Sequence, residues 1–87
     1  MEIIETSDFK KALSKLQNDI QRLYSIQARR FATDWKDPRL HVKKIKDLEK
    51  AFSFRITRRY RAFFYFQNAD TAIIFTIDHR KDAYRNI

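Results

Sequence analysis

The chain contains no glycine, no cysteine and a single proline in 87 residues. Without glycine there is no Walker-type phosphate loop and no dinucleotide-binding fingerprint, since both need backbone that a Cβ would obstruct. Without cysteine there is no disulfide framework and no thiolate nucleophile, and two histidines alone argue against a structural zinc site. No cofactor and no metal are therefore expected. No apolar run approaches the roughly 18 residues that a membrane-spanning helix needs. The opening MEIIETSDF is acidic and lacks the basic-then-apolar layout of a signal peptide. A cytoplasmic protein without membrane contact is the expectation.

Acidic residues are also scarce. Eleven Asp and Glu stand against 19 Lys and Arg, a formal net charge of +8. The excess is uneven: residues 1–40 hold eight basic and six acidic side chains, and residues 41–87 hold eleven and five. A basic half points to a polyanionic partner, nucleic acid or an acidic protein, although general solubility is the plainer reading. Hydrophobic residues make up 44% of the chain and aromatics 15%, enough for a real core. With no repeat, linker or low-complexity tract, residues 1–87 read as one domain.

The periodicity changes halfway along. EIIET is a short strand candidate. Ser7 is placed as an N-cap, with Asp8 favouring the positive end of a helix dipole. Phe9, Ala12, Leu13, Leu16, Ile20, Leu23 and Tyr24 then recur at three- and four-residue spacing, one apolar helical stripe. Asn18 and Asp19 are expected to break this stripe into a helical hairpin, with Asp19 capping a second helix that runs through Phe31 to about Trp35. DWKDPRL, with Pro38, ends it. From residue 52 the period is two. Phe52, Phe54 and Ile56 alternate with Ser53, Arg55 and Thr57, and Ala62, Phe64 and Phe66 with Arg61, Phe63 and Tyr65. Residues 68–70, NAD, read as a hairpin turn, and TAIIFTIDH as an interior strand apolar on both faces. The last seven residues suit a short helix or tail. The expected fold is α+β: an N-terminal strand and a helical hairpin packed on a small, mostly antiparallel sheet, in the order β-α-α-β-β-β.

Register fixes where the charge goes. If Phe54 and Ile56 share the core face with Ala62, Phe64 and Phe66, then Arg55, Thr57 and Arg61 share the opposite face. Two arginines on neighbouring strands repel unless something anionic visits; the alternative is that each is solvated with its stem on Phe63 or Tyr65.

This order of elements, with FSFRITRRYRAFFYF and the closing IDHRKDAYR, resembles the RelE/ParE superfamily of bacterial toxin–antitoxin systems over nearly the whole chain. The chain departs from the family pattern at Arg58 and Arg59, where many members have glycine in the hairpin, and at Thr57, where some have a second lysine. Many members cleave mRNA on the ribosome and others inhibit DNA gyrase. The resemblance therefore implies a cytoplasmic toxin with a cognate antitoxin, assembled as a hetero-oligomer, that acts on mRNA at the ribosome.

The side chains suit metal-independent cleavage, in which the RNA 2′-hydroxyl attacks the adjacent phosphate. His79 can act as acid or base near neutral pH. Arg55, Arg61 and Arg80 can stabilise charge that develops only in the transition state. Tyr84 can stack on a splayed base or donate a proton. By resemblance, Arg61, Arg80 and Tyr84 fall at positions that cleaving members use, Arg55 replaces a basic residue, and His79 stands where some members carry an acid–base histidine. Lys43, Lys44, Lys46, Arg58 and Arg59 are expected to contact RNA phosphates. Each has a plain alternative: a structural histidine at a strand end, a tyrosine packing the tail on the sheet, a solvated basic face. Glu49 is a further candidate proton acceptor, and His41 reads as surface. Two other functions stay open, a gyrase inhibitor that acts by binding and a non-catalytic nucleic-acid or protein-binding module.

Overall fold

A computed structural model describes residues 1–79; the helix or tail expected at 80–87 lies outside the described residues. β1 (Glu2–Glu5) leads into α1 (Ser7–Ser14) and α2 (Asn18–Thr33). A 3₁₀ turn over Pro38–Leu40 precedes β2 (Lys43–Lys44), β3 (Ala51–Arg55), β4 (Tyr60–Asn68) and β5 (Thr71–His79). The five strands form one sheet in the order β1-β5-β4-β3-β2, antiparallel except that β1 runs parallel to β5. This is the expected α+β layout with one addition, the two-residue β2 at the edge. Among the described residues no helix is long and apolar enough to cross a membrane.

Both helix starts differ from expectation. Thr6, not Ser7, caps α1: its hydroxyl oxygen accepts from the Phe9 amide at 3.1 Å. The two helices part at Lys15–Gln17, before Asn18, and Gln17 takes the N-cap place of α2 without a side-chain bond. Asp19 instead sits in the first turn, where its charge still favours the dipole. α2 stops at Thr33, and Trp35 packs beyond it, edge-on to Phe66 at 5.0 Å.

The core is largely aromatic and lies between the helices and one face of the sheet. Phe9, Tyr24 and Phe31 come from the helices; Phe54, Ala62, Phe64, Ala72 and Ile74 come from β3, β4 and β5. Phe31 sits 4.5 Å edge-on to Phe64 and 4.9 Å from Phe54, the offset and tilted geometries that ring quadrupoles prefer. Two buried polar contacts cross this core. The Tyr24 hydroxyl donates to Glu5, tying α2 to β1. Gln27 Nε2 donates to the carbonyls of Arg39 (3.0 Å) and Arg55 (2.8 Å), while its Oε1 accepts from Arg30 (2.9 Å).

The expected sharing of faces holds for β3 and β4, and the register pairs Phe54 with Ala62, Phe52 with Phe64 and Arg55 with Arg61. β5 departs from simple alternation. Phe63 pairs with Thr76 and Phe64 with Ile74, so Phe75 is an extra residue, a bulge. Before the bulge Ala72 and Ile74 face the core; after it Ile77, opposite Ala62, does. The bulge thus shifts the parity of the last four residues of β5 by one.

Candidate functional site

The sheet face turned away from the helices carries two of the expected catalytic residues, Arg55 and Arg61. Arg55 and Arg61 are a directly opposed cross-strand pair, so both side chains leave the same face. Arg61 is held in place. Its Nε donates to the Ser53 hydroxyl at 2.8 Å, and one terminal nitrogen donates to the His41 carbonyl and more weakly to the Ser53 carbonyl at 3.5 Å. Ser53 is buried beneath it at 4% exposure. Arg55 contrasts with this. Its Nε is buried and has no hydrogen-bond partner among the described residues. A buried N–H left without an acceptor costs about 1–3 kcal/mol. A guanidinium kept in that condition beside a second one is suited to an incoming oxyanion, which would give that N–H its acceptor.

Further charges join this face by register. Lys43 stands opposite Ser53 and shares the arginines' side, whereas Lys44 stands opposite Phe52 and points the other way. Asp78 lies directly across from Arg61 on the arginine face. Lys46, Arg58 and Arg59 are exposed on loops, Arg58 and Arg59 in the turn joining β3 to β4. The Arg59 amide donates to the Thr57 hydroxyl at 3.1 Å, which shapes that turn. Glu49 is exposed in the loop before β3.

His79 is not brought onto the arginine face. It pairs with Tyr60, and its ring meets the Tyr60 ring edge-on at 4.8 Å. Both line a cleft on the helix side of the sheet with Lys15, Gln17 and Arg59. The bulge at Phe75 is the cause: strict alternation from Ala72 and Ile74 puts residue 79 on the arginine face, and one inserted residue reverses it. The basic face therefore holds Arg55, Arg61 and Lys43, with His79 across the thickness of the sheet. Arg80 and Tyr84 lie outside the described residues.

Three contributors were not singled out from the sequence. Ser53 alternates with phenylalanines and reads as an outward polar position, with nothing local to show that Arg61 folds over it. Gln27 sits on the apolar stripe of α2 one turn before Phe31, and a polar residue on a buried stripe was the available signal. His41 reads as surface and its side chain is exposed, but its backbone is left-handed (φ 48°, ψ 51°) and its carbonyl serves Arg61.

The sequence matches no family model and no curated protein sequence. The fold, by contrast, is shared with several solved structures. A chain of the RelB–RelE antitoxin–toxin complex from Methanococcus jannaschii superposes with a TM-score of 0.73 at 22% identity, covering 97% of this chain and 98% of that one. The YoeB/ParE toxin from Agrobacterium tumefaciens gives 0.75 at 12% identity, with 91% and 98% covered. A chain of the archaeal RelE–RelB complex from Pyrococcus horikoshii gives 0.68 at 18%, with 91% and 93% covered. Identities this low speak for architecture alone, and each match covers more than nine tenths of this chain: it has the fold of the RelE/ParE toxins.

Proposed function

We propose that the chain is the toxin of a toxin–antitoxin pair and that it cleaves mRNA on the ribosome. The observation that carries this reading is the opposed Arg55–Arg61 pair on the helix-free face, one guanidinium clamped and the other with a buried, unpartnered Nε. In the proposed reaction the 2′-oxygen of one ribose attacks the neighbouring phosphorus and the 5′-oxygen of the next nucleotide leaves. The products are a 2′,3′-cyclic phosphate and a 5′-hydroxyl. Extra negative charge builds on the non-bridging oxygens at the transition state, and preorganised donors aimed there gain most. Arg61 and Arg55 fill that role, and Lys43 holds a flanking phosphate. His79, at the rim where β4 begins and β5 ends, Arg80 and Tyr84 complete the set implied by resemblance. The partners are an antitoxin that covers the basic face, and mRNA on the ribosome in the cytoplasm.

One observation favours a second reading. With His79 turned to the helix side, the arginine face holds cations but no histidine among the described residues, as suits a toxin that inhibits gyrase by binding alone. Brief expression in growing bacteria, with Arg61→Ala and His79→Ala controls, separates the two. New 5′ ends on a translated message, absent from the same message without a start codon and fading in both controls, support the nuclease. Growth arrest with intact mRNA refutes it and leaves gyrase inhibition; no arrest leaves a binding module.

A further inference from the structure

We propose that the cleft between the helical hairpin and the end of the sheet is a second RNA subsite, taking one nucleotide of a single strand next to the cleavage position. The choice of RNA rests on the nuclease reading above. The cleft has a volume of about 290 Å³, near the lower end for small-ligand pockets and about right for a single nucleotide. Leu16 and Ile20 give its lining an apolar part. Its walls come from three separate parts of the chain: the α1–α2 turn with Lys15 and Gln17, the β3–β4 turn with Arg59, and the strand ends with Tyr60 and His79.

Each wall supplies what an unstacked nucleotide needs. Tyrosine and histidine rings are among the surfaces on which splayed RNA bases stack, and here the two rings are already in contact and half-buried. Gln17 makes no capping bond with its side chain, which leaves the amide for a base edge. Lys15 and Arg59 are exposed cations from two separate walls, and neither side chain makes an ion pair or hydrogen bond among the described residues. Among the described residues no carboxylate lines the cleft. A solvated basic surface needs none of this convergence, whereas a phosphate with its base fits all of it.

The placement also explains the bulge. Bulges interrupt a ladder and serve to re-aim side chains. The one at Phe75 turns His79 from the arginine face into this cleft. The strand then passes from Arg55 and Arg61 over the basic rim of Arg58 and Arg59 into the cleft, and His79 meets the RNA from its far side.

The test is titration of the purified chain with a fluorescently labelled single-stranded RNA decamer, read by anisotropy over a salt series. The Lys15→Ala/Arg59→Ala double variant is expected to bind at least about tenfold more weakly, with a log–log salt slope shallower by about 1.4, the share of two phosphate contacts on a single strand. On binding, the ring signals of His79 in an NMR spectrum are expected to shift. Absence of wild-type binding at low salt, double-variant affinity within twofold of wild type, or unmoved His79 signals at saturation overturns the subsite. Equal His79 shifts with inorganic phosphate alone overturn the nucleotide assignment. Growth arrest with uncut mRNA refutes the nuclease reading separately, since the titration reports on the cleft in either case.

Discussion

Replacing Gln27 by leucine removes the polar cross-link between α2 and the two segments that frame the arginine face. Gln27 is 6% exposed, and its amide serves the carbonyls of Arg39 and Arg55. Leucine has nearly the same volume, so the cavity contribution is small. Two acceptors lose their donor in a buried setting, at about 2 kcal/mol each. Burying the leucine side chain returns about 2 kcal/mol. Half-buried Arg30 loses its bond to Gln27 as well but can turn to water, so its share is small. The net loss is about 2 kcal/mol, equivalent to a fall in Tm of about 8–16 °C for a domain of this size. Urea denaturation at neutral pH, followed by circular dichroism, measures it, with Arg30→Ala as a control expected to lose less than about 1 kcal/mol. Because the Arg55 carbonyl is one of the lost contacts, RNA cleavage should fall along with stability. An unchanged urea midpoint in Gln27→Leu would refute the reasoning, because it would mean that both carbonyls find other donors at no cost.

Tyr24 gives a test in pH. Burial first, then the hydrogen bond and charge of Glu5, push its phenol far above its usual value of 10.0. The native state therefore keeps a proton that the unfolded chain releases, so this contribution is complete below pH 10 and is lost as pH rises above it. Stability should fall by up to about 1.4 kcal/mol per pH unit on that account, and the steepening should be missing from urea unfolding of Tyr24→Phe above about pH 10. Arg61→Lys keeps the charge but loses the fork that spans Ser53 and His41; cleavage of a translated message in a reconstituted system is expected to fall about 10²–10³-fold, and near-wild-type rates would remove Arg61 from the chemistry. Ser53→Ala deletes the acceptor for Arg61 Nε and should lower the cleavage rate while reducing the unfolding free energy from urea titration by no more than about 1–2 kcal/mol; an unchanged rate would mean that the His41 carbonyl alone positions the guanidinium.

The sheet was legible because its signal is local and repeats every two residues. Phe52, Phe54, Ala62, Phe64 and Phe66 set the register and with it the Arg55–Arg61 pair. What escaped has physical reasons. Thr6 and Ser7 are equally good caps one position apart, and only the chain path from β1 chooses between them. Lys43 and Lys44 show no apolar–polar alternation to mark a strand, and their pairing depends on β3. The parallel match of β1 to β5 joins residues almost seventy positions apart, beyond the reach of any local pattern. Strict alternation from Ala72 and Ile74 puts His79 on the arginine face, and an apolar run such as AIIFTI hides a bulge because every position suits either face. Site geometry is thus least readable where a strand is apolar on both sides, as β5 is.

The missing glycine has a consequence at the backbone. Three residues with side chains, His41, Asp47 and Lys50, occupy the left-handed region at φ 48°, 69° and 65°. Each carries a steric penalty of about 1–2 kcal/mol that glycine would avoid, less for aspartate, whose side chain suits that conformation better. All three flank or lie within the approach to β3, so the strain is concentrated beside the arginine face and absent from the helices. Asp47 and Lys50 are places where a single glycine would relieve the backbone without touching Arg61. At residue 41 the same change would loosen the peptide whose carbonyl steadies that guanidinium. The β2–β3 region therefore behaves as a wound spring with one end fixed to the arginine, and a more stable version of this protein would be obtained by unwinding it at 47 or 50 and leaving 41 alone.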